Sequence, residues 1–362
     1  PLMRRAFRCR PEELLMTPSD YWSLFAIEAE RIGSPLYARL ARHIRDDARI
    51  RTIAEKAKPG QPHANIILGA VQYLLYEGRP HALKKQYPSL TPGAVPGPDI
   101  CETFRDFCLQ YEEDVTHLVT SRVTNTNEVA RCTALLPGFQ HIAREAGTGL
   151  HMVEIGPSAG FNLNWDLYAY SYVSEGREVA ACPTPDASLR LTAEARGSLV
   201  PRIDPNMPQV LSRVGLELNP VHLSDPADRL WLKALIFPEL LPRIARLDGA
   251  IATALKHPPP IRFGDALALI TPTLEALPAT GVPVVYHSFV TYQFSTDMQR
   301  RFDEALLAHS RRRPLYRVSV EWEQAEHPVR VSRYDNGAAT SVVLADCNPH
   351  GAWIEWRHKA TG

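Results

Sequence analysis

The chain has 362 residues, 45% hydrophobic and 22% charged, a balance that suits a globular protein with a buried core and room for two domains. Forty lysines and arginines offset forty aspartates and glutamates, so bulk charge argues against nucleic acid and acidic membrane surfaces as partners. No apolar run is long enough to span a bilayer, the opening PLMRRAFRCRPEELL lacks the apolar core of a secretory signal, and six cysteines without C-x-x-C spacing read as thiols of a reducing cytoplasm.

From Pro18 to about Gly147 apolar residues recur at helical spacing. TPSDYWSLFAIEAERIG predicts a helix capped by Ser19 or Asp20 and ended by Gly33. SPLYARLARHIRDD and ANIILGAVQYLLYEG predict two more, and YPSLTPGAVPGPD a loop. CETFRDFCLQYEEDVTHLVTS and NEVARCTALLPGFQHIAREA complete a region without a convincing strand. The first domain is therefore 1–148, all helical.

After Gly149 short apolar strands alternate with helices. HMVEI reads as a strand entering a glycine loop, with FNLNWDLYAY following as a helix. VGLELNP, IRFGDAL, VPVVYHSF and LYRVSVEW carry further strands, and MQRRFDEALLAHSRRR a helix. TSVVLADCNPHGAWIEW predicts a closing hairpin turning at Asn348 to Gly351. Residues 170–213, rich in proline and polar side chains, read as an insertion. The second domain, 149–362, is thus α/β, with a doubly wound, mainly parallel Rossmann-like sheet and an antiparallel C-terminal edge.

VEIGPSAGF admits two parses. Gly156-Pro157-Ser158-Ala159-Gly160 is a G-x-S-x-G that would present Ser158 as a hydrolase nucleophile, with Asp265 and His287 or His350 in order behind it. The helical region upstream makes the strand before Gly156 the first of its sheet, which opposes that parse. Read with Glu154, the same residues form E-x-G-x-x-x-G, a loop whose glycines let a ligand approach the backbone and whose following helix offers unpaired N–H groups. Glu217 at the next strand end suits ribose hydroxyls, and Asp265 at the third suits an adenine amino group. Asn162, Asn219 and Ala266 flank these positions and complete the candidate cofactor site.

His287, ending VPVVYHSF, is a candidate general base, with Tyr292 and Glu321 as further catalytic candidates. Ser288 and Gln293 lie beside it as candidate substrate contacts. A histidine that only holds the strand-to-helix turn is the plain alternative. RVTNTNEVARC is polar within the helical region: Asn125, Asn127 and Glu128 suit a helix start. Together with Arg131, which could clamp an anionic group or pair with Glu128, they are candidate substrate contacts. Cys132 reads as core rather than as a nucleophile. The histidines lack metal-ligand spacing, so no metal is expected.

Acid, glycine loop, acid and acid at successive strand ends resemble class I S-adenosylmethionine-dependent methyltransferases. The usual middle glycine of their loop is Ser158 here. Across nearly the whole chain, SPLYARL, ANIILGAVQYLLYEG, FRDFC, RVTNTNEVARCTALLP, VEIGPSAGFNLNWDLYAY, RVGLELNPVHLSDPADRLWLKALIFPE, FGDAL, VVYHSF and NPHGAWIEW together resemble a mainly bacterial family, Domain of Unknown Function 2332. The family resemblance implies a methyltransferase-like domain and no particular substrate, and the methyltransferase resemblance implies an S-adenosylmethionine cofactor; the expectation is a small-molecule acceptor under a helical lid. A non-catalytic S-adenosylmethionine- or nucleotide-binding protein, the Ser158 hydrolase and another cofactor-dependent reaction on the same fold are the alternatives, and the sequence leaves oligomeric state and acceptor open.

Overall fold

The computed structural model describes residues 18–124, 128–199, 202–324 and 326–357. The chain divides into two compact units. The first holds the described residues up to 124 together with Asp225–Ala245, and the second holds the described residues of 128–224 and 246–357. The expected boundary at 148 therefore falls within the second unit. The helix Cys132–Ala146 belongs with the sheet, and a later segment returns to the first unit.

The first unit is built on the helix His63–Tyr76, in which Ala64 and every residue from Ile66 to Leu75 are buried. A helix apolar on all sides has to be surrounded. Trp22, Tyr37, Phe104, Phe107, Trp231 and Phe237 belong to the core around it. Gly69 permits close packing, since a Cβ there would lie 3.0 Å from Leu235 and 3.5 Å from Trp231. Its one buried amide, Gln72, accepts from the Tyr37 hydroxyl at 3.0 Å and donates to Ile236 O at 2.8 Å. Gly33 ends the first helix at φ +90°.

Among its described residues the second unit carries eleven strands in one sheet: β1 Leu150–Ile155, β2 Ala169–Ser174, β3 Arg177–Cys182, β4 Arg190–Arg196, β5 Val210–Glu217, β6 Ile261–Phe263, β7 Val282–Ser288, β8 Leu315–Val320, β9 Pro328–Asp335, β10 Ala338–Cys347 and β11 Trp353–Trp356. Their order is β3-β2-β4-β11-β10-β9-β8-β7-β1-β5-β6. From β8 to β6 every neighbour is parallel, while β8-β9-β10-β11 is an antiparallel run. The fold is mixed α/β. Counted in chain order, the parallel strands lie 3-2-1-4-5, and the order reverses between β1 and β7. β1 and β7 are buried at every residue, as a parallel sheet covered on both faces requires.

Val153 and Val285 face one core, shared with Ile270, Leu274, Phe302 and Leu306 of the helices Ala266–Glu275 and Thr296–Ser310. Their neighbours Glu154 and Tyr286, paired in register, face the opposite side, where Phe139 of Cys132–Ala146 meets the Tyr286 ring. The stretch 170–213, read as an insertion, supplies β2, β3 and β4 and extends the sheet. One expectation is corrected here. FNLNWDL is a 3-10 turn, Phe161–Leu167, broken by non-helical angles at Asn164, and β2 follows directly.

Candidate functional site

The loop after β1 is shaped by three left-handed residues, Gly156 at φ +65°, Ser158 at +54° and Gly160 at +78°. Gly215 lets this loop settle on β5, since a Cβ there would lie 2.5 Å from Pro157 Cγ. Gly156 N donates to Leu216 O at 3.0 Å, and Gly160 N to Pro157 O at 2.8 Å. A non-glycine residue at positive φ carries strain, and at Ser158 an anchor meets it: Ser158 N donates to Glu217 Oε2 at 2.7 Å. Glu217 Oε1 also accepts from Asn219 N at 2.9 Å, and Gly264 N donates to Glu217 O. The ends of β1, β5 and β6 are thereby fastened together. Asp265 caps the helix Ala266–Glu275, its Oδ1 accepting from Leu267 N at 2.9 Å.

Glu154 is only 2% exposed. Its carboxyl accepts from Asn162 Nδ2 at 3.3 Å and from the Tyr286 hydroxyl at 3.2 Å. Desolvation drives its pKa up to about 8 against those two bonds, so it is mostly protonated at neutral pH. The Cys132 thiol donates to Asn162 Oδ1 at 3.2 Å, and burial with Glu154 nearby pushes it well above its usual pKa. That is a core thiol and a poor nucleophile. Ala159 is buried and Asn162 half-buried.

The second group of candidates gathers one strand away. His287 is fully buried, with Nδ1 2.6 Å from Glu321 Oε1 and Nε2 accepting from Arg317 Nε at 2.8 Å. Burial and Arg317 lower its pKa, so it stays neutral and Nδ1 carries the proton. Burial works against charge on Glu321 as well. There the bond from His287 and the N–H groups of Val290 and Thr291, at 2.9 and 3.0 Å, prevail and hold it below the usual carboxylate range. Tyr292 N adds a bond at 3.3 Å, and Arg317 reaches Asp303 at 2.8 Å. Both nitrogens of His287 are thus committed, and the expectation of a general base gives way to the turn-holding alternative. Glu321 likewise fixes the segment after β7. Of the missed members, Arg317 and Tyr286, the first had a signal: Arg317 in β8 stands four residues before Glu321, the spacing of one face of an extended chain.

Arg131 is buried, stacks 4.6 Å over Phe289, and donates to Pro349 O at 2.9 Å and to Ser288 O at 3.5 Å. Glu128 accepts from Ala130 N at 3.2 Å and lies 3.5 Å from Arg246. Gln293 is exposed. Asn125 and Asn127 lie outside the described residues. Among the described residues no group of His, Cys, Asp and Glu side chains could hold a metal ion, and no helix is long and apolar enough to cross a membrane.

A nucleoside-type cofactor can be tested against this geometry. Glu217 offers a carboxylate at the end of β5. Beside it Leu218 and Phe263 are 59% and 72% exposed, and Glu217 pairs with Phe263 in register. The second Asp265 oxygen has no partner among the described residues. Acceptors flanked by bare apolar faces fit an adenosine. The other half of the loop is filled by the protein itself: a Cβ at Gly156 would lie 2.8 Å from Val290, and one at Gly160 2.6 Å from Pro259. The seven-residue 3-10 turn that follows also lacks the dipole expected of an α-helix.

Residues 20–356 match the model of a family described as an uncharacterised protein conserved in bacteria, Domain of Unknown Function 2332, and the chain belongs to that family. No curated protein and no solved structure matches it.

Proposed function

We propose that this member of an uncharacterised bacterial family is a methyltransferase-like enzyme that binds S-adenosylmethionine at the carboxyl edge of β1, β5 and β6. Its acceptor is a small molecule. The observation that carries this reading is the strand order. Ligands of doubly wound sheets sit outside the strand ends where the order reverses, and here that is the β1–β7 crossing beside the glycine loop. Glu217 accepts the ribose hydroxyls in place of loop N–H groups, Phe263 and Leu218 line the base, and Asp265 receives its amino group. When bound, the cofactor supplies an electrophilic methyl group. The protein contributes positioning, with Glu321 and His287 holding the 288–293 segment in one conformation.

Calorimetric titration with S-adenosylmethionine and S-adenosylhomocysteine tests the reading. Wild type should bind both saturably. Phe263→Ala should bind about tenfold more weakly, for loss of one base-stacking face, at unchanged melting temperature because the ring is exposed. Absence of binding by the wild type refutes it. Binding without transfer to any acceptor makes the protein a cofactor sensor. The positive φ of Ser158 favours a second reading, the nucleophile elbow, but an elbow leads into a helix and this one leads into a broken 3-10 turn. Labelling of Ser158 by a fluorophosphonate would reverse that preference.

A further inference from the structure

A cavity of about 460 Å³ in the second unit is lined by Asn164, Leu167, Arg213, Lys256, His257, Pro258 and Pro260. It lies toward the amino ends of the strands rather than at their carboxyl edge, since Arg213 stands in the first half of β5 and Pro258 and Pro260 precede β6. Arg213 is held firmly: Nη1 and Nη2 grip Asp166 end-on at 2.7 Å each, and Nη1 also donates to Leu163 O at 2.7 Å and Asn164 Oδ1 at 3.3 Å. A guanidinium has five N–H groups. End-on pairing leaves the side-on fork, Nε with the outer Nη2 hydrogen, and no described residue accepts from Nε. Asn164, 1% exposed, fixes the floor by donating to His257 O at 2.9 Å. Lys256 is exposed and makes no ion pair among the described residues. Asp166 balances Arg213, so Lys256 leaves the cavity with one unbalanced positive charge. The proline walls have fixed φ and lose little freedom on binding.

We propose that this cavity is an oxyanion site. It takes the carboxylate or phosphate end of a small ligand on the side-on fork of Arg213, with Lys256 as the second cation. A planar fork whose other edge is already clamped is preorganised for such a group. The cavity would serve a ligand other than the strand-end one.

Inorganic phosphate and acetate, titrated calorimetrically into the full chain at constant ionic strength with chloride as balance, test the proposal. At least one of the two should bind saturably, and the tighter identifies a phosphate or a carboxylate end. Arg213→Lys keeps the charge toward Asp166 but loses the fork, and should weaken binding by about tenfold or more. Lys256→Ala alters only an exposed side chain and should weaken it several-fold, so it decides the matter if the arginine variant does not fold. No saturation with either anion, or an affinity unchanged in Lys256→Ala, overturns the proposal.

Discussion

Replacing Glu154 by glutamine should change how stability depends on pH, and the size of the change follows from burial. In the folded protein the Glu154 pKa stands at about 8 against an ordinary 4.5. A carboxyl whose pKa is raised by folding contributes fully below its unfolded value. That contribution is lost as pH rises, because the unfolded chain releases the proton first. Over this window, at about 1.4 kcal/mol per unit, the loss comes to roughly 5 kcal/mol between pH 4.5 and 8, and it levels off above. Glutamine keeps the shape and can still accept from one of Asn162 and Tyr286, but it does not titrate. Urea unfolding of both proteins at intervals from pH 5 to 9 isolates the effect, since every other titrating group cancels in the difference. The variant should gain on the wild type by several kcal/mol across that range. Parallel profiles would mean that Glu154 is ionised in the folded state and that its surroundings are far more polar than its burial implies.

Two further outcomes follow from the same region. Gly160→Ala places a Cβ 2.6 Å from Pro259 at φ +78°, so backbone strain and overpacking together should cost about 3 kcal/mol in chemical denaturation. A loss under 1 kcal/mol would show that the proline moves aside. Glu321→Ala strands His287 and the N–H groups of Val290 and Thr291, and should cost about 3 kcal/mol. Hydrogen exchange should rise first at residues 290–292, and unchanged protection there would remove Glu321 as the anchor of that segment.

The strands that built the site were legible because their composition matched their burial. VPVVYHS opens on three valines within four residues and is buried throughout, as a central parallel strand must be, and the turn at Asn348–Gly351 carried its own turn residues. β9 was not legible, since PVRVSRYD interleaves arginines with its valines and opens on proline. β4 was hidden by Pro183 and Pro185 before it, and β2 by its run-on from FNLNWDL, which reads as one helix. The spacing of Glu154, Gly156 and Gly160 marked the loop, but not what each side chain does. That Glu217 turns onto Ser158 N depends on β5 lying beside β1, and that His287 sits between Glu321 and Arg317 depends on the register of β7 with β8. Sequence spacing carries neither fact.

The position of β11 bears on how the protein is made. This strand, more than 150 residues after β4, lies between β10 and β4 and pairs Trp353 with Glu194 and Glu355 with Arg196. On the ribosome, β2, β3 and β4 emerge long before the strand that joins them to the rest of the sheet. Until β11 has emerged, β4 presents an open edge to other nascent chains. Final closure of the sheet is then a late, long-range event. A chain cut short just before Trp353 would leave two partial sheets with exposed edges, a substrate for chaperones and proteases.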